Sequence, residues 1–340
     1  MPVLADHAAL AVVGERLCTD LVDVTDDPAC LDGSGFWAAV VPYASPPTFA
    51  RFATIRPARP WRGPAWRGPG REHWRSSLDR AGFMAGVERI REAIRAGDVY
   101  QVNLTRRLEA DVADDCDVAA LGAALAVGNP APYSAVVRVP TAGIHVASAS
   151  PERFLRREGR LVWSSPIKGT ASTPADFLEK DQAENVMIVD LVRNDLGRVC
   201  DYGSVCVPAL LAVEHHPGLV HLVSTVAGEL ADGVGWPELL DATFPPGSIT
   251  GAPKLAAMAL IDQLEPVDRG FYCGAVGWVD ADRGIGELNV AIRTFWIDTV
   301  GGAPRLCFGT GGGITHDSDP AGEWDETELK ARTLLTVASA

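Results

Sequence analysis

The chain has 340 residues, 47% of them hydrophobic and 22% charged, and a formal net charge of −14 that gives a sequence pI of about 4.9. A body this acidic repels phosphate backbones and anionic bilayers, so nucleic-acid and membrane partners are disfavoured. No apolar run reaches membrane-spanning length, and MPVLADHAAL has neither the basic start nor the apolar core of a secretory signal. The seven cysteines, Cys18, Cys30, Cys116, Cys200, Cys206, Cys273 and Cys307, are scattered, odd in number and form no CxxC pair. That pattern argues against zinc and a disulfide framework and for a soluble, cytoplasmic protein with reduced thiols.

Residues 1–40 read as a few short elements, among them the strand-like FWAAVVPY. From Pro42 to Arg75 the chain fills with Pro, Arg, Gly and Trp, which reads as a surface connector. Residues 1–80 are therefore taken as a short N-terminal region ending in that connector, and 81–340 as the catalytic domain. Phe83, Met84, Val87, Ile90 and Ile94 recur at helical spacing, and Gly97 stands where that helix stops. DVYQVNLTRRL alternates as a strand, and further strands are expected at SAVVRV, GIHVAS, RFLRR and RLVWS. A long helix is expected from Pro174 to Leu196. It is followed by HLVSTVAGEL, a helix from Pro253 to Leu264, CGAVGWV, ELNVAIRTFWI, RLCFGTGGG and a last helix from Pro320. Strands adjacent in sequence with helices in separate blocks imply an α+β fold, with mainly antiparallel sheets packed together and flanked by helices.

Two of these helices present paired acids: Asp181 and Glu184 three apart, and Glu323 and Glu326 with Lys330 at steps of three and four. A lone pair of this kind is commonly a solvated face. Here Glu184 precedes Met187 and Leu191, and Glu326 precedes Leu329, which places both at the margin of a core. Two carboxylates from separate helices, with positions left for water and substrate, suit Mg²⁺ better than zinc. FPPGSITGAPK resembles a phosphate loop without being one, because Lys254 does not follow a glycine directly. It still sets Ser248 and Thr250 ahead of a helix N-terminus, and GTGGGIT offers a second backbone nest at Gly311, Gly312 and Gly313. Arg293, in AIRT, sits inside an otherwise apolar strand and needs a carboxylate partner, to which Tyr272 adds a hydroxyl. His221 opens HLVSTV, where a lone histidine is more often structural. Lys168 is the lone charge of the turn SSPIKGTAS.

GDVYQVNL, SPERF, PIKGT, DLVRNDLGRVC, HLVSTV, FPPGSITGAPK, RGFYCGAVGW, AIRT and GGGITHDSDPAGEWDETELKAR occur in that order. Together they resemble the chorismate-utilising enzymes, over roughly residues 83–335: anthranilate synthase component I, aminodeoxychorismate synthase component I, isochorismate synthase and salicylate synthase. The resemblance implies the layered α/β/β/α fold of that family. Isochorismate and salicylate enzymes carry a water-activating lysine where this chain has Gln101, and a neutral amide is no base. Anthranilate synthases usually have alanine in the PIxGT turn, and aminodeoxychorismate synthases have lysine, as here at Lys168.

The resemblance thus implies aminodeoxychorismate synthase component I, which converts chorismate and ammonia to 4-amino-4-deoxychorismate for 4-aminobenzoate and folate synthesis. Lys168 attacks the 2-position as the 4-hydroxyl departs, and ammonia then enters at the 4-position and expels the lysine. Glu152 protonates the departing hydroxyl, with His221 nearby. Glu184 and Glu326 hold Mg²⁺ against the ring carboxylate, supported by Asp181, where a glutamate is usual, and by Glu323. Tyr272, Arg293 and Gly311, Gly312 and Gly313 bind the enolpyruvyl carboxylate. Gln101, Thr170, Ser248 and Lys330 complete the substrate site. Ammonia is expected from a separate glutamine amidotransferase subunit in a heterodimer, and a downstream lyase completes aromatisation. The alternatives are anthranilate synthase component I and, from another class, a non-catalytic chorismate-binding regulatory partner.

Overall fold

The computed structural model describes residues 8–171, 173–216 and 219–340. The first strands are β1 (Leu10–Val13), β2 (Arg16–Thr25), β3 (Phe36–Val41), β4 (Thr48–Pro57) and β5 (Arg75–Ser76). Helix α1 (Arg80–Ala96) leads to β6 (Gln101–Asp111), α2 (Val118–Gly128), and strands β7 (Tyr133–Val139), β8 (Ile144–Ser150), β9 (Arg153–Glu158), β10 (Leu161–Ser165) and β11 (Ile167–Ala171). Then come α3 (Glu179–Gly197), β12 (Cys206–His216), β13 (Leu219–Glu229), α4 (Trp236–Thr243), β14 (Gly251–Ala252) and α5 (Lys254–Leu264). The chain closes with β15 (Ala275–Asp280), β16 (Ile285–Val290), β17 (Thr294–Val300), β18 (Ala303–Ile314) and α6 (Pro320–Ala338).

Among the described residues every strand pairing is antiparallel. The ladder runs β6–β18–β17–β8–β7–β1–β2–β4–β3–β15–β16–β9–β10–β13, with β11 and β12 both on β13. The ladder folds back on itself, and its two halves share the largest apolar core: Val137, Val146 and Trp296 from one half meet Trp37, Val276 and Leu288 from the other. Asn289 of β16 spans the seam, its amide donating to the Tyr133 carbonyl and the Ser148 hydroxyl. A second core lies under α2 and α6, and a third joins α1, α5 and β6. This is the expected α+β architecture of packed antiparallel sheet flanked by six helices. Among the described residues no helix is long and apolar enough to cross a membrane.

Local signals account for the helices. Asp79 caps α1 by accepting from the Gly82 N–H, and Gly97 ends it in the left-handed conformation at φ 84°. Asp319 caps α6 in the same way through Gly322. The expected helix from Pro174 is instead a 3₁₀ turn at Pro174–Asp176, and α3 starts at Glu179, where Asp181 caps its own N-terminus by accepting from the Leu178 N–H.

The connector reading of residues 42–75 needs correction. TFARFATIRP forms β4, which pairs with both β2 and β3, because its aromatic and β-branched residues alternate as a strand requires. Residues 42–47 and 58–74 carry no strand, and the longer of the two is not a loose surface link. The Trp66 indole is buried with Leu334 and Ala338 and donates to the Ala338 carbonyl. Trp74 donates to the Ser339 hydroxyl, and Gly68 approaches so closely that a Cβ there would sit 1.7 Å from the Ala338 oxygen. The segment straps down the end of α6, the helix that carries Glu323, Glu326 and Lys330.

Trp66→Ala is expected to lose about 3–5 kcal/mol, the usual cost of removing a large buried side chain, measured by denaturant unfolding. A loss below about 1 kcal/mol would show that the strap contributes little to stability.

Candidate active site

Glu152 sits in the two-residue link between β8 and β9, deep in the seam and 4% exposed. Its backbone is fixed on both sides: its N–H donates to the Ser150 hydroxyl, its carbonyl accepts from the Val290 N–H, and Ser150 in turn donates to the Val290 carbonyl. The carboxyl accepts from the Ser248 hydroxyl and the Ile167 N–H. Burial pushes its pKa up to about 7, against the pull of those two donors and of the Lys168 charge. A carboxylic acid poised near neutrality is suited to giving up a proton.

Lys168 does not lie in a loop. PIKGT contributes strand β11, paired with β13, and the register breaks between Ile167 and Thr170. Gly169 makes that break possible: its φ is +89°, and a Cβ would meet Asp181 Cβ at 3.0 Å. Burial holds the Lys168 amine below the ordinary lysine range; the Glu184 and Glu152 charges oppose that shift, and Lys330 adds to it. The amine therefore shares one electrostatic neighbourhood with Glu152, Glu184, Lys330 and Glu326.

Glu184 reaches this cluster from α3 and Glu326 from α6. Burial raises the Glu184 pKa, as do the charges of Asp181 and Glu326, while Lys168 and Lys180 lower it. Glu326 is held low chiefly by Lys330, whose amine donates to it at 2.8 Å. Burial also raises Glu323, which accepts from the Ser318 hydroxyl. Among the described residues no group of three or more His, Cys, Asp and Glu closes on a metal position. The donor set that fits a cation is two hard carboxylates, Glu184 and Glu326, with water or substrate oxygens completing the shell, an arrangement Mg²⁺ accepts. Asp181 has one oxygen committed to capping α3.

The nest expected at Gly311–Gly313 is instead ladder. The three glycines extend β18 and pair with Thr105, Leu104 and Asn103 of β6. Their bareness makes room: a Cβ on Gly311 would lie 2.4 Å from the Leu104 oxygen, one on Gly312 3.1 Å from Glu323 Oε2, and one on Gly313 2.0 Å from Gln101 Nε2. Lys330 donates to the Gly311 carbonyl at 3.0 Å, tying the glycines to α6. Gln101 is 1% exposed, and its Oε1 is buried without a hydrogen-bond partner.

Arg293 also departs from the strand reading. It stands at φ 52° in the gap between β16 and β17, so its backbone is left-handed. Burial lowers its pKa, and its guanidinium makes no ion pair or hydrogen bond among the described residues. A guanidinium in this setting has the planar donor fork that can bind a carboxylate through two hydrogen bonds. Tyr272 is buried against Gly309, and burial raises its phenol well above the ordinary value. His221 is buried on β13, cross-strand from the Thr170 backbone; the Thr170 side chain lies outside the described residues. Ser248 is buried in the 3₁₀ turn Gly247–Ile249 and meets Glu152. Lys254 is structural, donating to Asp195 at 2.6 Å and to the Thr243 carbonyl.

Two supporting residues escaped the sequence reading. Asn185, next to Glu184, donates to the Leu222 carbonyl and accepts from the Ser224 hydroxyl, which locks α3 onto β13. Ser150 fixes Glu152 as described above. A polar residue inside the apolar runs of α3 and β8 was the available signal.

The raised Glu152 pKa has a stability consequence. Between the ordinary value of 4.5 and about 7 the folded chain keeps a proton that the unfolded chain has lost, so stability falls as pH rises through that window. Glu152→Gln is expected to raise the thermal midpoint at pH 8 relative to the parent by more than at pH 5, with a ceiling of about 3 kcal/mol. Equal effects at both pH values would refute the buried-acid assignment.

The family model described as chorismate binding enzyme matches residues 62–336. The chain is 42% identical over 281 residues to anthranilate synthase component 1 of Streptomyces coelicolor, covering 79% of this chain and 53% of that protein. It is 44% identical over 279 residues to aminodeoxychorismate synthase of Streptomyces pristinaespiralis, covering 78% of this chain and 37% of that protein. The chain thus spans about half the length, or less, of these curated relatives. The crystal structure of anthranilate synthase component I from Streptococcus pneumoniae superposes with a TM-score of 0.76 at 25% identity, covering 98% of this chain and 91% of that one. The ordered motifs, the folded-back antiparallel sheet and the match across 62–336 make the chain a member of the chorismate-binding enzyme family.

Proposed function

We propose that the protein is an aminodeoxychorismate synthase component I, converting chorismate and ammonia to 4-amino-4-deoxychorismate through a covalent Lys168 intermediate. The observation that carries this reading is the Lys168 amine, depressed by burial and set among Glu152, Glu184 and Glu326. A lysine must be neutral to attack, and burial favours the neutral form. Its nitrogen lone pair forms the bond to C2 as the C4–O bond breaks, and the Glu152 proton leaves with the hydroxyl as water. Ammonia then bonds at C4, and Lys168 departs with its electron pair. Arg293, whose guanidinium has no partner among the described residues, binds a substrate carboxylate, and the family resemblance assigns Tyr272 and His221 to the same site. Mg²⁺ held by Glu184 and Glu326 would neutralise the ring carboxylate and fix the ring.

Gln101 lies where the isochorismate-type enzymes place a base, and its neutral amide disfavours water as nucleophile. Anthranilate synthase component I remains the rival reading, since relatives of comparable identity carry both names. We place the protein in 4-aminobenzoate and folate synthesis in the cytoplasm, with ammonia supplied by a separate glutamine amidotransferase and a lyase acting on the product.

Incubation with chorismate, Mg²⁺ and ammonium chloride should yield aminodeoxychorismate; anthranilate as the product would overturn the assignment. Without ammonium, the peptide containing PIKGT should gain the mass of a chorismate adduct. Lys168→Ala should abolish that adduct and lower or divert product, with residual turnover from positioning groups that remain. An unchanged rate of aminodeoxychorismate formation would make Lys168 a bystander. Excess chelator should abolish activity, and Glu326→Gln should raise the Mg²⁺ concentration needed for half-maximal rate; activity in chelator would return the helix acids to solvated faces.

A further inference from the structure

Arg293 is held in the left-handed region, at φ 52°, where a residue with a Cβ stays only if its surroundings force it. Two peptide planes set that conformation, the one before Arg293 and the one after it, and both are pinned. The plane after it is fixed by backbone: the Arg293 carbonyl accepts from the Ala149 N–H of β8 at 3.0 Å. The plane before it is fixed by a side chain. The Thr294 hydroxyl donates to the Ile292 carbonyl at 3.0 Å.

That hydroxyl ends a buried relay that begins at Asn289. The Asn289 Oδ1 accepts from the Val276 N–H at 3.1 Å. This turns its amide towards the Tyr133 carbonyl at 2.7 Å and the Ser148 hydroxyl at 3.2 Å. Ser148 and Thr294 stand opposite each other on β8 and β17, with their hydroxyl oxygens 2.8 Å apart. A hydroxyl has one proton to give, and a carbonyl can only accept. Thr294 spends its proton on Ile292, so it accepts from Ser148; Ser148 then has none left and accepts from the Asn289 amide. The relay therefore runs one way, from Asn289 through Ser148 and Thr294 to the Ile292 carbonyl. All three side chains are buried, so bulk water does not compete for any link.

Strand pairing does not depend on this relay, because β8 and β17 also pair at Phe295 with Ala147 and at Trp296 with Val146. What the relay adds is a hold on the one carbonyl that decides the backbone of Arg293. The same strand carries Ser150, which fixes Glu152. β8 thus sets the acid and the guanidinium-bearing residue together.

We propose that Ser148 and Thr294 are positioning residues, whose relay from Asn289 locks Arg293 in its left-handed conformation and so aims its guanidinium at the substrate carboxylate. The inference rests on the reading above that Arg293 binds that carboxylate. With the Ile292 carbonyl released, Arg293 relaxes to negative φ, its Cα–Cβ bond swings, and the guanidinium leaves its place. A carboxylate clamp that takes no part in bond making serves substrate and transition state alike, so its loss raises KM and spares kcat.

Thr294→Val keeps the branched shape and removes the hydroxyl, whereas Thr294→Ser keeps the hydroxyl. In the crystal structure of Thr294→Val, Arg293 should leave positive φ; an Arg293 still in the left-handed region would overturn the lock. With chorismate consumption as the assay, Thr294→Val should raise KM for chorismate at least about tenfold with kcat within about threefold of the parent, and Thr294→Ser should restore KM. Thr294→Ala carries the same readouts if the valine variant does not fold. Ser148→Ala, which takes the donor from Thr294, should raise KM in the same direction; a parental KM would remove Ser148 from the relay. In an Arg293→Ala background Thr294→Val should change KM by less than about twofold, because the residue it acts through is gone. An equal effect in both backgrounds would overturn the positioning role and make the relay a support of the fold. Arg293→Ala with an unchanged KM for chorismate would instead refute the carboxylate reading, and the φ of Arg293 in Thr294→Val would still decide the lock.

Discussion

A lysine amine held in a dry seam between carboxylates is the constraint around which this molecule is arranged. Burial alone drives the Lys168 charge out, and Glu184 and Glu152 draw it back; the balance leaves the amine below its ordinary range. Neither acid is comfortable there by itself. Burial raises both Glu152 and Glu184; the Ser248 hydrogen bond and then the Lys168 charge oppose it at Glu152, and the Lys168 charge opposes it at Glu184. Removing any one member leaves the others buried and less compensated, so the cluster behaves as a unit.

The fold holds this unit at the seam where the antiparallel ladder folds back. Glu152 comes from the link between β8 and β9, Lys168 from β11, Glu184 from α3 and Glu326 from α6, segments brought together from distant parts of the sequence. Each is anchored by groups with no chemical role of their own: Ser150 and Val290 for Glu152, Asn185 and Ser224 for α3, and the Trp66 strap for the end of α6. These anchors limit movement of the charged groups, as pre-organisation requires. Lys180 and Lys330 join Lys168 as the cations acting on these acids.

Much of the fold was legible because it is written locally. The start of α6 at Pro320, the stop at Gly97 and the alternation of β6 need only near neighbours. β4 was missed because Pro and Arg on either side masked a short alternating stretch. The glycine run of β18 and the break at Arg293 were misread for another reason: bare glycines suit a nest or a ladder equally well, and what selects the ladder is β6, two hundred residues away.

By itself the sequence determined the family, through long motifs in fixed order, and the chemical types available: one lysine in PIKGT, a glutamate in SPERF, acids on two helices. It did not determine their charge states or neighbours. Tertiary structure alone decided that Lys168 stands on a strand, that Glu152 is an acid near pH 7, and that Arg293 finds no partner among the described residues. Burial and pairing across the chain set these properties, because desolvation and Coulomb energies depend on distances in space that sequence spacing does not contain.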